Sequence, residues 1–258
     1  MRNKMSFFDW IVKLVAEYWP QFLNGTRNTL IMALTGTLFG FIIGLLIAVV
    51  RTVPVSKSDT PFKRVSLKII NTILTAYIEI VRGTPMLVQA LIVHYSLFVK
   101  LGIPSLPSAI IIISFNTAAY MAEIARGGIM SIDKGQFEGA HAVGMSHFQT
   151  MRHVILPQAI RNIMPSIGNE LVVNIKDSSV LSVIAITELM FSAKQAGGTY
   201  AKFVPAYVIC AVIYFVLTFT VTRILRLVER KLTGSSSYTI CGSQSDPDAE
   251  IHVKEAIS

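Results

Sequence analysis

A chain of 258 residues with 52% hydrophobic and only 15% charged side chains is poorer in charge than a soluble domain, which carries about 25%. Its formal charge of +8 would suit nucleic acid, but Lys and Arg cluster beside long apolar runs, as the positive-inside rule expects of a membrane protein. Two cysteines, Cys210 in an apolar run and Cys241 in a polar stretch, predict neither a disulfide nor a zinc site.

Residues 1–21 mix Arg2, Lys4, Asp9, Lys13 and Glu17 with apolar residues. They lack the uninterrupted apolar core and small-residue cleavage site of a signal peptide. Residues 5–21 instead predict an amphipathic helix, with Phe8, Ile11, Val12, Val15 and Trp19 on one side, lying at the outer membrane surface. Asn28–Val50 carries no charge and is long enough to cross a bilayer core of about 30 Å. Gly36, Gly40 and Gly44 recur in it at four-residue spacing. Such a stripe either lets another helix approach closely, as a seam within the subunit or between subunits, or reflects the ordinary frequency of Gly in membrane helices.

Ser66–Val99 is too long for one ordinary span, and Arg82-Gly-Thr-Pro85 interrupts it, yet each half is too short alone. Read as one kinked span, it gives five spans in all. The basic segment from Arg51 to Lys68 then shares the cytoplasm with the Arg223–Lys231 end, and the N-terminus lies outside. The break at Gly83 and Pro85 frees backbone groups that must be buried in protein or wetted. It marks either a transport pathway or a packing kink.

Ala109–Ala122 begins the third span, after Pro104 and Pro107. Asn116, Tyr120 and Glu123 share one helical face there, and Glu170, Asn174 and Asp177 share one in a more polar fourth span over Pro165–Met190. Polar groups at membrane depth face a wet cavity or one another. Asn116, Tyr120, Glu170, Asn174 and Asp177 are candidate linings of a polar solute's pathway. Glu123 is read as structural, paired with Arg126, and Lys176 with Asp177 is a second local pair. Phe203–Thr222 is the last uncharged span, and residues 231–258 read as a polar, disordered cytosolic tail.

Between the third and fourth spans, Glu138–Pro157 forms a polar, helix-competent island. Ser146 with Gln149 fits a capping box, Gly144 permits a bend, and Pro157 stops the helical pattern or kinks it. Two short helices at an angle on the membrane surface are expected. His141, His147 and His153, spaced by six residues, fall on different helical faces and do not predict a metal site. No Gly-x-x-x-x-Gly-Lys-Ser/Thr phosphate loop occurs, and no nucleophile–base–orienter set is visible.

The island's spacing, Glu138-Gly139-Ala140, Gly144, then Val154-Ile-Leu156-Pro157, resembles the coupling motif of permease subunits of bacterial ABC importers. It departs from that pattern at Gly139, where Ala is usual, and at Val154, where Ile is usual. Ile80–Gln89, Ala118–Gly128 and Asn174–Ser179 are similar to the polar-amino-acid branch of that family, so the resemblance spans roughly 22–230. It implies an all-α integral membrane protein, a type I ABC importer transmembrane domain with a cytosolic coupling-helix loop. It further implies a bacterial inner membrane and a cytoplasmic C-terminus. The implied partners are two cytosolic ATPase subunits holding ATP and Mg, a second copy or sister permease, membrane lipid and an extracellular amino-acid-binding protein. This chain would bind no cofactor, no metal and no nucleic acid, and would not itself be an enzyme. Glutamine or glutamate is the first expected solute, with arginine, histidine and cystine as alternatives. An ion-coupled secondary transporter, or a membrane sensor or scaffold that does not transport, are readings of other classes. The first would explain the intramembrane carboxylates but not the island, and the second predicts no uptake defect on deletion.

Overall fold

The computed structural model describes residues 5–56 and 59–233, and those residues form helices and connecting turns with no strand. Arg2, Lys4, Lys57, Cys241 and the tail from 234 lie outside the described residues.

Helix α1 runs unbroken over Phe7–Arg51, 45 residues, with Pro20 inside it. At 1.5 Å per residue it is roughly 70 Å long, more than twice a bilayer core. The separate surface helix expected over 5–21 is therefore the first part of the same rod. Two of its charges are met by a residue distant in sequence. Tyr200 donates to Glu17 at 2.8 Å, and the Lys13 ammonium lies 4.1 Å from the Tyr200 ring.

Helix α2 (Pro61–Gly83) starts where Thr60 accepts from the Lys63 amide and Pro61 takes the first turn. Pro85 disfavours the helical region for the residue before it, and Thr84 is extended (φ −124, ψ 145). The chain then turns through 110° into α3 (Met86–Val93), which continues as a π-helical turn over His94–Phe98. This is far sharper than the single kinked span expected. Proline explains the break, whereas Gly83 has open space around its missing Cβ.

Helix α4 (Ser105–Met130) lies along α1 in the most extensive helix pair of the molecule. The glycine stripe is this seam, within one subunit. A Cβ on Gly40 would stand 2.7 Å from the Thr117 side chain. One on Gly44 would stand 2.6 Å from Met121 Cβ and 2.8 Å from Ala118 O. Helix α5 (Lys134–Ala142) and the single turn α6 (His147–Thr150) come next, and a π-helical turn over Met151–Ile155 leads into α7 (Leu156–Asp177). The fourth span thus starts and ends earlier than the expected Pro165–Met190. Pro165 sits inside α7. After Asp177 the chain tightens into a 3-10 turn, and left-handed Ala185 ends it. Helix α8 (Leu189–Tyr200) is capped by Glu188 and packs on α9 (Phe203–Thr233).

Among the described residues α1, α4 and α9 are long and apolar enough to span, and the bent α2–α3 pair is a fourth candidate. Helix α7 is 22 residues long but too polar to qualify alone. By length and apolarity the described residues thus offer three spans, or four with the bent pair, against the five expected, and α7 packs on α1, α4 and α9.

One end of the bundle gathers the C-termini of α1 and α4, the island and the last turns of α9. Arg51 pairs there with Glu123, and Leu225 of α9 meets Gly168 of α7. The opposite end gathers the start of α1 with α8 and the start of α9, packed around Leu14, Phe22, Leu189 and Ala206.

Candidate functional site

The helix break and the expected pathway residues meet in one cavity of about 350 Å3. Arg82, Gly83, Thr84, Pro85 and Met86 form one side of it, Asn116 and Tyr120 of α4 another, and Glu170, Val173, Asn174 and Asp177 of α7 the third. The break is what opens it. Three carbonyls near the bend find side-chain donors instead of helical amides. Thr84 Oγ1 donates to Ile80 O at 2.7 Å, and Gln89 Nε2 reaches Val81 O at 2.8 Å and Thr84 O at 3.0 Å. Gln89 Oε1 in turn accepts from Asn116 Nδ2 at 3.0 Å, so α4 is tied to the corner. A broken helix at membrane depth needs such substitutes.

The cavity residues play unequal parts. Asn174 is buried and its amide is committed. It donates to Thr37 Oγ1 of α1 at 2.8 Å and accepts from Thr117 Oγ1 of α4 at 3.1 Å. It clamps three helices behind the cavity wall. The Tyr120 ring lies under the Arg82 guanidinium, 5.4 Å from the ring centre. Glu170 is buried and Asp177 half-buried, and among the described residues no ion pair engages Arg82, Glu170 or Asp177. The cavity thus offers one fixed cation, two carboxylates and an amide-lined wall. Arg82 and Gln89 were not singled out from the sequence. Nothing in the spacing of residues on α2 and α3 says that they turn back onto α4.

The local pairs divide. Glu123 holds Arg126 at 2.9 Å as expected, and also Arg51 of α1, which touches Thr75 of α2. Lys176 and Asp177 form no pair, because neighbours on a helix do not face each other: Lys176 is exposed and Asp177 turns to the cavity.

The island has the expected geometry. Asp133 caps α5 through the Gly135 amide at 2.6 Å, and Ser146 and Gln149 form a reciprocal capping box on α6. Gly144 stands between them at φ +80, in the left-handed region that favours Gly. Met151 and Ile155 are buried with Ile129 and Ile163, which fixes the island to the ends of α4 and α7, and Ala140 of α5 is buried as well. Leu156 packs at the edge of that cluster, and Pro157 opens α7, where its missing amide is harmless. Glu138, Gly139 and Gly144 are exposed, and so are two large apolar side chains beside the bend, Val143 and Phe148, at 75% and 71%. The sequence had not singled these two out. His147, half-buried, is held below the usual imidazole range by burial and by the nearby His141 and Lys63.

Residues 40–234 match the family described as binding-protein-dependent transport system inner membrane component. The nopaline transport system permease protein NocM of Agrobacterium fabrum is 35% identical over 230 residues, 84% of this chain and 90% of that protein. The glutamine transport system permease protein GlnP of Escherichia coli is 33% identical over 231 residues, 87% and 98%. A solved structure, described as an amino acid ABC transporter with histidines, aligns with a TM-score of 0.73 at 36% identity over 88% of this chain and 99% of that one. With family and fold both matched over most of its length, the chain belongs to the binding-protein-dependent transport system inner membrane components, as an ABC importer permease subunit with the type I transmembrane fold.

Proposed function

We propose that this subunit carries a zwitterionic amino acid through the Arg82–Glu170–Asp177 cavity into the cell. The observation that carries the reading is the opposition of charge in one chamber. A guanidinium suits an α-carboxylate bidentately, and a carboxylate suits an α-ammonium. Permeases named for nopaline and for glutamine, and the amino acid transporter structure, support the same class. Two carboxylates against one guanidinium favour a neutral polar or basic side chain. Glutamine therefore stays first, and glutamate fits less well than the sequence resemblance alone suggested.

The remaining machinery is that of the family. ATP and Mg belong to two cytosolic ATPase subunits, and Glu138, Gly139, Ala140, Gly144, Leu156 and Pro157 shape the surface that engages them. A second copy or sister permease completes the pore, and an external binding protein delivers the solute. ATP and loaded binding protein bias one pair of inward- and outward-open states, which makes the sites allosterically coupled.

Arg82→Ala is expected to lower uptake kcat/KM by about 10–100-fold, the worth of one charge-assisted contact of about 1.5–3 kcal/mol. Reconstituted complex with radiolabelled glutamine, competed by unlabelled glutamate, arginine and cystine, measures it. Unchanged amino-acid uptake in the variant, or transport only of a sugar or metal by the parent, defeats the reading. For orientation, Ser56→Cys should react only from the cytoplasm and Ser105→Cys only from outside. The reverse pattern would invert the proposed topology and place the C-terminus outside.

A further inference from the structure

The polar face of α2 is not used by the cavity alone. Arg64, Lys68, Asn71, Thr75, Glu79 and Arg82 recur every three or four residues, so they form one stripe along the helix. The neighbouring face, with Leu74, Tyr77, Ile78 and Val81, packs on Ile47, Ala119 and Ala122, and Tyr77 donates to Phe115 O at 2.5 Å. A third face is apolar and open, with Val65, Ile69, Ile73 and Ile80 more than half exposed. The stripe is therefore neither the packed face nor the lipid-compatible one.

A groove of about 680 Å3 runs along it, lined by Arg64, Lys68, Asn71, Thr75 and Glu79 among others. Its Glu79 end lies one helical turn from Arg82, which lines the amino-acid cavity. The two hollows are successive compartments on one side of one helix. Glu79 sits about 27 Å along α2 from Pro61, deep in the span. It is exposed, and among the described residues no hydrogen bond or ion pair engages it. A bare carboxylate at that depth is tolerated only beside water or a cation. Asn71 Oδ1, buried in the same stripe, also lacks a partner. Water supplied from the groove would satisfy both.

We propose that this stripe is the solute's route from the cavity to the inner surface, and that Glu79 meets the solute's ammonium group as it leaves Glu170 and Asp177. This rests on the amino-acid reading above for the solute, but not for the wet track. A zwitterion leaving the cavity would find Glu79 first and then Lys68 and Arg64 for its carboxylate. Each step replaces one charged contact by another, so no stage traps the solute bare in the membrane.

The test uses the full transporter with its ATPase and binding protein, with Cys210 and Cys241 replaced by Ser. Single cysteines are placed by Thr75→Cys and Glu79→Cys on the track, and by Ile73→Cys and Ile80→Cys on the apolar face. A charged, membrane-impermeant maleimide is added to inside-out vesicles without nucleotide. The track positions should react at least about tenfold faster than the apolar ones, since only thiolate in water reacts. Excess glutamine should slow Glu79→Cys. Equal rates at all four positions, or disulfide cross-linking of two Thr75→Cys copies in place of labelling, overturns the track. For the role of Glu79, Glu79→Gln should lower uptake kcat about fivefold or more with KM little changed. Equal kcat overturns it. Track labelling in a parent that moves no amino acid would fail the proposed function and leave the route standing. Amino-acid uptake by a parent whose track is unreactive would do the opposite.

Discussion

Gly44→Leu should abolish the folded subunit. The first added carbon alone would stand 2.6 Å from Met121 Cβ, and 2.8 Å from both Ala118 O and Ala122 N. Two of those are backbone atoms of α4 and cannot swing away. Helix α1 must then retreat from α4, and the retreat is felt along the seam. Gly36 and Gly40 lose their contacts with Ile113 and Thr117, and the Asn174 clamp between Thr37 and Thr117 opens. Overpacking normally costs about 1–3 kcal/mol, and the linked losses bring the total to about 3–5 kcal/mol, as much as the whole margin of a domain at the low end of the usual range of about 5–15 kcal/mol. In membranes the seam has no hydrophobic drive to fall back on, because its strength is close packing itself. Gly127→Ala, on the same α4 but with open space at its Cβ, is the control. Size-exclusion profile and thermal unfolding of the purified subunit measure both. A monodisperse Gly44→Leu protein with the parent melting temperature would show that the two helices are not locked as described.

How far the sequence alone could be read depends on the range over which the forces act. The island was legible because its determinants are local. Ser146 and Gln149 cap within one turn, and Gly144 supplies a left-handed residue where two short helices meet. The apolar spans were legible because lipid demands them from composition. The glycine stripe was visible, but its partner was not: only the packed structure assigns it to α4 within the subunit. The N-terminal charges suggested a surface helix separate from the first span. They are accommodated on a continuous rod because Tyr200, distant in sequence, receives both Glu17 and Lys13, and Trp10 on the same helix adds a second ring to Lys13. The site was half legible. Periodicity put Asn116 with Tyr120, and Glu170 with Asp177, on common faces. It did not show that Pro85 turns the chain through 110° and brings Arg82 over Tyr120, nor that Gln89 closes the corner. The buried Glu188 was missed altogether. It caps α8 through the Met190 and Phe191 amides and accepts from Tyr214 at 2.9 Å. The expected fourth span ran through it to Met190, and only the packed structure sets it before α8 with α9 beside it.

Gly144→Asp should leave the subunit folded and assembled while uncoupling ATP hydrolysis from transport. Its φ of +80 strains a side chain by roughly 1–2 kcal/mol, and Asp and Asn tolerate this region better than other residues. Among the described residues, none beyond its chain neighbours comes within 4 Å of the added Cβ, so the fold has room for it. Apart from that backbone strain, what the substitution disturbs is expected to lie outside the subunit. The bend carries Val143 and Phe148, both largely exposed, on either side of Gly144. An ATPase groove that receives these two side chains would meet the new carboxylate at its centre. Burying that charge without a partner is costly, and the lever between nucleotide and cavity would lose its grip. Uptake should fall by at least about tenfold, the effect of some 1.4 kcal/mol of lost coupling. Basal hydrolysis should persist, and stimulation by loaded binding protein should vanish. Gly144→Asn separates the causes: it brings similar backbone strain and size without the charge, so it should retain more stimulation than Asp. Phe148→Ala should weaken ATPase retention on purification with Gly144 intact. Normal uptake and full stimulation in Gly144→Asp would remove the bend from the coupling surface. Equal loss in Asn and Asp would move the cause from buried charge to the shape of the turn.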